Sequence, residues 1–438
     1  MRTVAFAQST QTATTAPAWQ QTFNADQYLL GDALGSRRWL FDHGLTILPT
    51  ATIDDSKNTR GGLDTAGNSL RQRYDIALNV DTEKLLGLHG GTIYTDYQFE
   101  HGKNASLTLT GDAQQITNAT NADGQSQLGV LFYQQVAGPF RFRGGKLDAN
   151  SDFDTLDNGV EFLNNSFSTS PCMMLMPSFP FTAMGLEFFV EPTGTDHGVY
   201  AGAGVFDGSQ ARGVETGENG PRNFLRHGGN LFLISEAGYR YALHRGSADL
   251  PGKIATGAWF DTNPFMDVSG SRRTTGTGGA YATFDQILWR PQQPKRAGNS
   301  GLSAGASLSN ITAEPNPAEE QEFPGGIALT SSISWADPLA DRIDGNLLGG
   351  LEWTGAIPAR PFDVTGIGTT VAHFSGAAQT RDPYELTVEA FYGIRVTQYI
   401  SLKPDVQYVR HPNGAGTHND GTPLRDAVVF TLRLAVAF

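Results

Sequence analysis

Hydrophobic and polar residues alternate along the C-terminal segment of the chain, which reads DAVVFTLRLAVAF. Counting back from Phe438, large apolar side chains occupy every second position through Leu434 and Leu432 to Phe430, and smaller or polar residues such as Arg433 lie between them. A period of two predicts a β-strand whose two faces meet different surroundings. The pattern alone leaves open whether the apolar face meets a soluble core or lipid.

Segments with the same alternation recur along the whole chain, separated by clusters of Gly, Asn, Asp and Pro. The most regular are YDIALNV (74–80), TIYTDYQFE (92–100), YELTVEAFYG (384–393) and LKPDVQYV (402–409). Less regular candidates are LTILPTATI, LGVLFYQQ, FRFRGGK, GLEFFVE, GVYAGAGVF, LFLISEAGYRYA, IATGAWF, AYATFDQILWR, LSAGASL (302–308), GIALTSSISW and NLLGGLEWT. With the last segment they predict about sixteen strands, an even number within the range of outer-membrane β-barrels.

The connections between these segments differ in length in a regular way. Those after even-numbered predicted strands are mostly compact, such as DTEKLLGLHGG and ADPLADRIDGN. Those after odd-numbered strands are mostly longer, such as HGKNASLTLTGDAQQITNATNADGQS and ARPFDVTGIGTTVAHFSGAAQTRDPY. Short turns on one rim and long loops on the other are typical of outer-membrane barrels, whose short turns face the periplasm. We interpret DTEKLLGLHG as a structural turn rather than as a helix capped by Asp81.

Composition narrows the classes of protein to which such strands can belong. The net charge is −13, the hydrophobic fraction is 39% and the mean hydropathy is −0.29. No run approaches the roughly 18 apolar residues of a membrane-spanning helix, whereas the alternating strands of a barrel escape hydropathy averages. The acidic balance argues against nucleic acid as a partner. With one cysteine and nine scattered histidines, the chain has no disulfide framework and no predicted metal or cofactor site.

The N-terminal sequence MRTVAFAQ contains Ala5-Phe6-Ala7, the small-residue pattern of a signal-peptidase site. We interpret residues 1–7 as the remnant of a secretory signal, and a disordered Ser/Thr/Ala-rich tail is the alternative. We expect residues 8–44 to form a periplasmic segment with a short helix and residues 45–438 to form the barrel. Within it, residues 148–184 make a long acidic third loop with its own apolar stretch, which predicts that this loop folds into the pore.

Several stretches, taken in order, resemble the carbohydrate-selective porins of the OprB type. LLGDALGSRRWLFDHGLTILPTATIDDSKNTRGG is similar to the family's N-terminal helix and first strand, and LNVDTEKLLGLHGGTIYTDYQFEHG to a strand-turn-strand unit. GKLDANSDF followed by NNSFSTSP is similar to the family's Gly-Lys-x-Asp stretch and the loop behind it. GAWFDTN, YATFDQILWR, SLKPDVQYVRHPNG and VVFTLRLAVAF correspond to later elements. The chain departs from the family at its front, where a complete signal peptide is missing.

The resemblance implies an all-β, transmembrane antiparallel barrel of sixteen strands in the bacterial outer membrane. It also implies facilitated diffusion of monosaccharides and related carbohydrates, without a cofactor, through a pore that inward loops narrow and charged residues line. A sugar-selective pore has to replace the hydration of hydroxyl groups and still bind weakly, because tight binding would stop conduction.

Strand alternation supplies the candidate residues for this pore. Basic side chains that alternate with apolar ones should point inward, whereas the facing of Lys146 stays open because Gly144-Gly145 can bulge the strand. The candidates are Arg71, Arg73, Asp75, Asp96, Glu100, Arg141, Arg143, Lys146 and the loop acids Asp148, Asp152, Asp154 and Asp157. Basic residues opposite an acidic loop would create a transverse field across the constriction. The alternative is a polar lumen whose charges neutralise one another.

Other residues suggest contacts with the membrane and with protein partners. We expect an aromatic girdle at the lipid headgroups from Trp259, Trp289, Trp353, Tyr239 and Tyr241. Cys172 should pack within the third loop. The terminal Phe438 resembles the aromatic residue that the barrel-assembly machinery reads. A homotrimer is possible, but the sequence does not distinguish it from a monomer.

Three functions compete with a sugar-selective porin. A general porin limited only by solute size would share the barrel and its loops. An outer-membrane barrel enzyme, such as a lipase or protease, needs a nucleophile beside a positioned histidine, and no histidine here has that setting. A soluble two-sheet lectin would not sort its connections by length. We therefore predict a porin and not an enzyme.

Overall fold

Sixteen antiparallel strands follow one another around a closed barrel in the computed structural model of the chain. They are β1 (Leu45–Arg60), β2 (Ser69–Asp81), β3 (Gly91–Gly102), β4 (Ser126–Ala137), β5 (Phe140–Leu147), β6 (Ala183–Val190), β7 (Gly198–Asp207), β8 (Leu231–Arg245), β9 (Ala248–Met266), β10 (Arg273–Trp289), β11 (Gly326–Ala336), β12 (Ile343–Thr354), β13 (Val364–Phe374), β14 (Tyr384–Arg395), β15 (Ile400–Arg410) and β16 (Ala427–Ala437). Each strand pairs with its neighbours in sequence, and β1 pairs with β16 to close the circle. The structure describes residues 23–119, 124–194, 197–210, 216, 229–245, 248–291 and 325–438. The predicted all-β barrel is confirmed.

The two faces of a strand meet different surroundings, as β16 shows. Phe430 and Leu432 point outward with 51% and 49% of their surface exposed, whereas Thr431 and Arg433 are buried inside the barrel. In a bilayer the outward face meets hydrocarbon, where no water is present to satisfy an unpaired backbone group. The closed ladder pairs these groups within the wall, so the apolar alternate residues can face lipid.

Three short helices lie outside the wall. They are α1 (Ser36–Asp42), α2 (Thr82–Leu86) and α3 (Pro412–Ala415). Other helical turns occur at Ala25–Gln27, Ser106–Thr110, Ala149–Ser151, Asn165–Phe167, Pro171–Met173 and Gly376–Ala378. The helix α1 is the short N-terminal helix that the sequence predicts. No helix in the described ranges is both long and apolar enough to cross a membrane.

The connection after β2 differs from its prediction. The Asp81 side chain accepts hydrogen bonds from the N–H groups of Glu83 (2.9 Å) and Lys84 (3.0 Å) and so caps α2. Gly87, with φ +73°, ends the helix in the left-handed region. The interpretation as a structural turn without a helix cap is therefore wrong, because Asp81 satisfies the free N–H groups at the start of a helix.

The sequence pattern misses the strand β13, which lies within a segment predicted to be a long loop. A Cβ atom on its inward Gly368 would lie 2.6 Å from the Phe167 ring, so this position has no room for a side chain. Small residues on the inward face weaken the alternation that predicts a strand. The predicted strand at 302–308 lies outside the described residues, and β10 pairs directly with β11.

The two rims of the barrel carry different connections. The rim where the chain enters and leaves the barrel has those at 82–90, 138–139, 191–197, 246–247, 290–325, 355–363 and 396–399. The other rim has those at 61–68, 103–125, 148–182, 208–230, 267–272, 337–342, 375–383 and 411–426. The predicted sorting therefore holds over most of the barrel. Since the short turns of outer-membrane barrels face the periplasm, we assign the first rim to that side.

Two connections lie on the rim opposite to the predicted one. The compact ADPLADRIDGN joins β11 to β12 on the long-loop rim, and the strand ends that flank the long connection, Trp289 and Gly326, lie at the short-turn rim. The predicted rims differ here because the sequence prediction places a strand at 302–308 between the segments of β10 and β11 and omits β13.

The N-terminal segment packs against the end of the last strand. The backbone N–H of Leu29 donates to the Ala437 carbonyl (2.9 Å), and the Arg37 guanidinium donates to the Phe438 carbonyl (2.5 Å) and the Ile47 carbonyl (3.2 Å). The described N-terminal segment and the end of β16 are thus joined at the rim with the short turns.

The lipid-facing position of β16 gives a test of the fold. Leu432→Arg, near the middle of the strand, should lower the free energy of folding into lipid vesicles by about 2–4 kcal/mol, because a charge is placed in hydrocarbon. A denaturant titration of folding into vesicles measures this. The control Thr59→Arg, outward at the extracellular end of β1, should cost about 0–1 kcal/mol. Equal losses in the two variants would contradict the placement of β16 in the membrane.

Candidate functional site

The connection 148–182, called loop 3 below, enters the barrel and runs along a row of wall carboxylates. Each of these accepts hydrogen bonds from backbone N–H groups of loop 3. The pairs are Asp154 to Glu236 (3.1 Å), Asp157 and Asn158 to Asp285 (3.0 Å each), Glu161 to Glu352 (3.3 Å), and Leu163 and Asn164 to Glu389 (2.5 and 2.9 Å). We call Glu236, Asp285, Glu352 and Glu389 the carboxylate belt. Since a buried N–H group needs a partner, the belt supplies what water would supply to an exposed loop.

The belt follows the topology of the wall. Its four carboxylates lie on β8, β10, β12 and β14, which is one per hairpin, and loop 3 reaches them in chain order. Tyr200 and Tyr281 orient Glu236 because each phenol hydroxyl donates to one of its oxygens at 2.7 Å. Loop 3 is therefore held along about half of the inner circumference.

An apolar cluster fixes the loop between β6 and β11. Phe153, Met173 and Met176 of loop 3 are buried against inward aromatic side chains of the wall, including Phe189 and Phe232. The stacking of Phe162 on Phe167 (centroids 4.0 Å apart) continues this packing at β12 and β13, where Gly350 and Gly368 leave room for the two rings. Cys172 also lies in the buried cluster, as the sequence predicts.

The structure corrects one member of the predicted aromatic girdle. Trp259 points into the barrel, is 4% exposed and stacks on Phe232 at 5.7 Å. On β9 it occupies an inward position, as do Ala255 and Asp261. The girdle prediction rests on its position near a strand end and does not consider which face of the strand it occupies. Trp289, Trp353 and Tyr239 are exposed, and Tyr241 stacks on Tyr239.

The wall from β15 through β1 to β5 lacks the carboxylate belt and carries buried ion pairs instead. The pairs within the wall are Arg71–Glu100 (3.0 Å), Arg73–Asp75 (2.9 Å) and Arg433–Asp54 (2.7 Å). The pairs with loop 3 are Arg141–Asp152 (2.8 Å), Arg143–Asp152 and Lys403–Glu161 (2.5 Å), and Lys253 on β9 meets Asp157 (2.7 Å). We call the inward face from β15 to β5 the charged wall.

The remaining predicted residues have local partners. Asp96 accepts a hydrogen bond from Gln98 (2.8 Å), and Asp148 caps the helical turn Ala149–Ser151. The Lys146 ammonium is fully buried and donates to the Gly129 carbonyl (2.7 Å). Lys146 is thus buried against the wall and does not lie beside an open path for solutes.

The structure places only some of the predicted basic residues opposite the acids of loop 3. Arg141 and Arg143 face the loop acid Asp152, but Arg71 and Arg73 pair with acids of their own wall. Loop 3 approaches Arg73 through an aromatic residue, since the Arg73 guanidinium lies over the Phe179 ring at 4.2 Å. This side of the barrel therefore fits the alternative, in which the lumen charges neutralise one another, better than it fits a transverse field.

Two loop acids meet opposite electrostatic surroundings. Burial alone would raise the pKa of Asp152, but Arg141 and Arg143 outweigh burial and hold this pKa at about 2. Burial raises the pKa of Asp154 to about 7, and the nearby Glu236 adds to the rise. Asp152 is therefore charged at neutral pH and holds the two arginines, whereas Asp154 titrates close to neutrality.

A second loop also enters the barrel, which the sequence does not reveal. In the described part of the connection 103–125, the N–H groups of Ala113 and Gln114 donate to Glu385 (2.8 and 2.9 Å). The hydroxyl of Thr117 donates to Asp54 (2.5 Å), and the Asn118 N–H donates to the Leu163 carbonyl of loop 3 (2.7 Å). This loop supports loop 3 from the side of β14 and β1.

The carboxylate belt is the main feature that sequence reasoning missed. Each member is a single acid at an inward position of a strand, in SEAG, TFDQ, GLEW and TVEA. Strand parity could have identified these acids as readily as it identified the arginines. Their pairing with backbone N–H groups of one loop depends on how that loop crosses the lumen, and no local pattern encodes that path.

A sixteen-stranded barrel with short turns on one rim, long loops on the other and a loop folded inside has the architecture of an outer-membrane porin. The model of the carbohydrate-selective porin, OprB family, matches residues 67–438. The chain therefore belongs to the carbohydrate-selective porin family of the OprB type. It is a carbohydrate porin of the bacterial outer membrane.

One relative and two solved structures are also similar to the chain. Porin B of Pseudomonas aeruginosa is 23% identical to the chain over an alignment that covers 89% of this chain and 87% of Porin B. The high-pH structure of Pseudomonas putida OprB has a TM-score of 0.75 at 16% identity, covering 95% of this chain and 99% of that one. The low-pH structure of the same protein has a TM-score of 0.55 at 15% identity, with coverages of 95% and 100%.

The belt makes a prediction about pore width. Glu389→Ala removes the acceptor for two N–H groups of loop 3, and hydrogen bonds to a charged group contribute roughly 1.5–3 kcal/mol each. We expect a higher and noisier single-channel conductance in planar bilayers, because part of loop 3 leaves the wall. The control Asp344→Ala removes an acid that pairs with the exposed His373, and it should leave the conductance unchanged. A wild-type conductance in Glu389→Ala would show that the belt does not set the pore width.

Proposed function

We propose that monosaccharides diffuse passively through the gap between loop 3 and the charged wall. The observation that carries this proposal is the presence of unused hydrogen-bonding atoms on side chains that are already ion-paired or hydrogen-bonded. Among the described residues no hydrogen-bond partner meets Nη2 of Arg143, Nη1 of Arg433 or Oε1 of Glu100, and all three atoms are buried. Each hydroxyl group of a sugar both donates and accepts, so it can pair with either kind of atom.

Ion pairing suits a pore that must release its substrate. Because Arg73 and Arg143 are compensated by Asp75 and Asp152, the wall offers a neutral sugar directional hydrogen bonds without a strong uncompensated field. Binding at each position stays weak, which conduction requires. Phe179 beside Arg73 adds an apolar surface for the C–H face of a sugar ring. We infer that Arg73, Arg143 and Asp152 are the central members of the constriction.

The porin family and the barrel fold indicate a channel rather than an enzyme. A general porin limited by solute size remains the alternative, because it would share the barrel and the inward loop. The two differ in whether solutes of equal size cross at different rates.

We extend the proposal to the partners of the barrel. Outward apolar faces such as that of Phe430 and Leu432 fit contact with outer-membrane lipid. Phe438 is our candidate for recognition by the barrel-assembly machinery, and its carbonyl meets Arg37 once the barrel is folded. Whether the barrels associate as trimers stays a prediction.

A liposome-swelling assay tests the sugar path. Wild-type protein should admit glucose faster than an amino acid of similar size, and a disaccharide more slowly than glucose. Arg143→Ala and Arg73→Ala widen the gap and remove directional donors. We therefore expect all rates to rise and the ratio of glucose to amino acid to fall several-fold, towards the value that size alone gives.

The control for this assay is Arg410→Ala, which removes an exposed arginine at the far end of β15. It should keep the wild-type ratio. Wild-type rates that depend on solute size alone would contradict selectivity, and an unchanged ratio in Arg143→Ala and Arg73→Ala would exclude these arginines from the constriction.

A further inference from the structure

A partly open cavity lies beneath loop 3 towards the periplasmic rim. The periplasmic ends of β13 to β16 and the turn at 396–399 form its sides, and Glu161 of loop 3 lies at its inner end. The charged and aromatic residues of the lining are Glu161, Phe362, Arg395, Lys403 and Arg433.

Two of the three cations in the cavity are only partly engaged. Arg395 at the end of β14 lines the cavity, and its guanidinium makes no ion pair or hydrogen bond to a described side chain. Arg433 pairs with Asp54 through Nε and Nη2, but its buried Nη1 has no partner among the residues the structure describes. Lys403 by contrast is held by Glu161 at 2.5 Å.

Nearby carboxylates are committed elsewhere. Asp363 accepts hydrogen bonds from Arg360 (2.8 Å), from the Tyr392 hydroxyl (2.6 Å) and from the backbone N–H of Arg395 (2.9 Å). Glu389 holds loop 3, and Asp405 accepts a hydrogen bond from Gln407 (3.1 Å). None of these three lines the cavity, where Glu161 is the one acid among the lining residues. The lining itself therefore holds more cations than acids, and Asp54, Asp405 and Glu389 lie behind it near Arg433.

An aromatic and aliphatic surface lies beside the cations. The Phe362 ring lies 5.2 Å from the Arg395 guanidinium, and Val364, Ile394 and Ile400 complete the apolar side. A planar guanidinium matches a carboxylate through two parallel hydrogen bonds. An aromatic ring offers a surface for the C–H face of a sugar. The cavity thus combines the two chemistries of a carbohydrate that carries a carboxylate.

We propose that this cavity is a binding site for sugar acids, meaning monosaccharides that carry a carboxylate group. Arg395 binds the carboxylate, Nη1 of Arg433 donates to it or to a neighbouring hydroxyl, and Phe362 supports the sugar ring. The proposal rests on the sugar path beside loop 3, because the cavity continues that path towards the periplasm. Arg395 is only half-buried, so solvent screens its charge and keeps the site weak enough to release its ligand.

Current block in planar bilayers tests this site. D-gluconate, D-glucose and acetate are added in turn to wild-type channels in KCl, and the concentration that halves the single-channel current is measured. We expect gluconate to block at lower concentration than either glucose, which lacks the charge, or acetate, which lacks the sugar.

Variants connect the block to the cavity. Arg395→Gln should raise the half-blocking concentration of gluconate by roughly tenfold, because a charge-assisted pair is lost, and it should leave that of glucose unchanged. Arg395→Lys keeps the charge without the planar fork and should fall between the two. The control Arg410→Gln removes the same charge from the exposed outer end of β15, and it should match the wild type.

The outcomes separate this proposal from the sugar path on which it rests. Equal block by gluconate and acetate, or a wild-type response in Arg395→Gln, overturns the sugar-acid site even if the swelling assay shows glucose selectivity. Gluconate block that is sensitive to Arg395 in a barrel without glucose selectivity supports the site and refutes the selective path. If Arg395→Gln yields no channels, the response of Arg395→Lys decides, and a wild-type half-blocking concentration there overturns the guanidinium contact.

Discussion

Pairing of every backbone polar group within the wall is the constraint on which the rest of this structure depends. A strand edge in hydrocarbon would leave N–H and carbonyl groups without partners, so the sheet has to close, and β1 meets β16 to close it. Closure with sixteen strands leaves a lumen too wide for the side chains of the wall to fill. The length of loop 3, the positions of the inward acids and the glycines of β13 all follow from how that lumen is filled.

The same requirement for partners governs the interior. Loop 3 brings its own unpaired N–H groups into the barrel, and the carboxylate belt accepts them at four successive hairpins. On its other side the loop packs against the wall in a buried cluster that includes Phe153 and Phe232. One half of the inner wall is thereby committed to holding the loop. The other half, the charged wall, meets loop 3 through ion pairs such as Arg141–Asp152 and Lys403–Glu161, and we propose that solutes pass beside it.

The sequence predicts the wall better than the interior, and the reason is physical. In a strand between lipid and lumen, apolar and polar residues alternate strictly. The inward and outward residues of β2, β3 and β16 can therefore be predicted one by one from the sequence. Where loop 3 crowds the wall, as at Gly368 on β13 or Trp259 on β9, inward residues are selected to fit the loop and the alternation becomes unreliable. The basic residues Arg141 and Arg143 were predictable as inward side chains, but their common partner Asp152 depends on long-range folding of the loop.

Cys172 offers the most direct measurement of whether loop 3 is seated in the barrel. It is 1% exposed, its Sγ lies 3.8 Å from the Ser334 carbonyl of β11, and burial raises the pKa of its thiol to about 12. The rate of its alkylation by a small water-soluble maleimide can be compared between the folded barrel in detergent and the heat-denatured chain. The account predicts modification only after denaturation. Equally fast modification of the folded barrel would show that loop 3 lies outside, and the arrangement of belt, loop and charged wall would then be wrong.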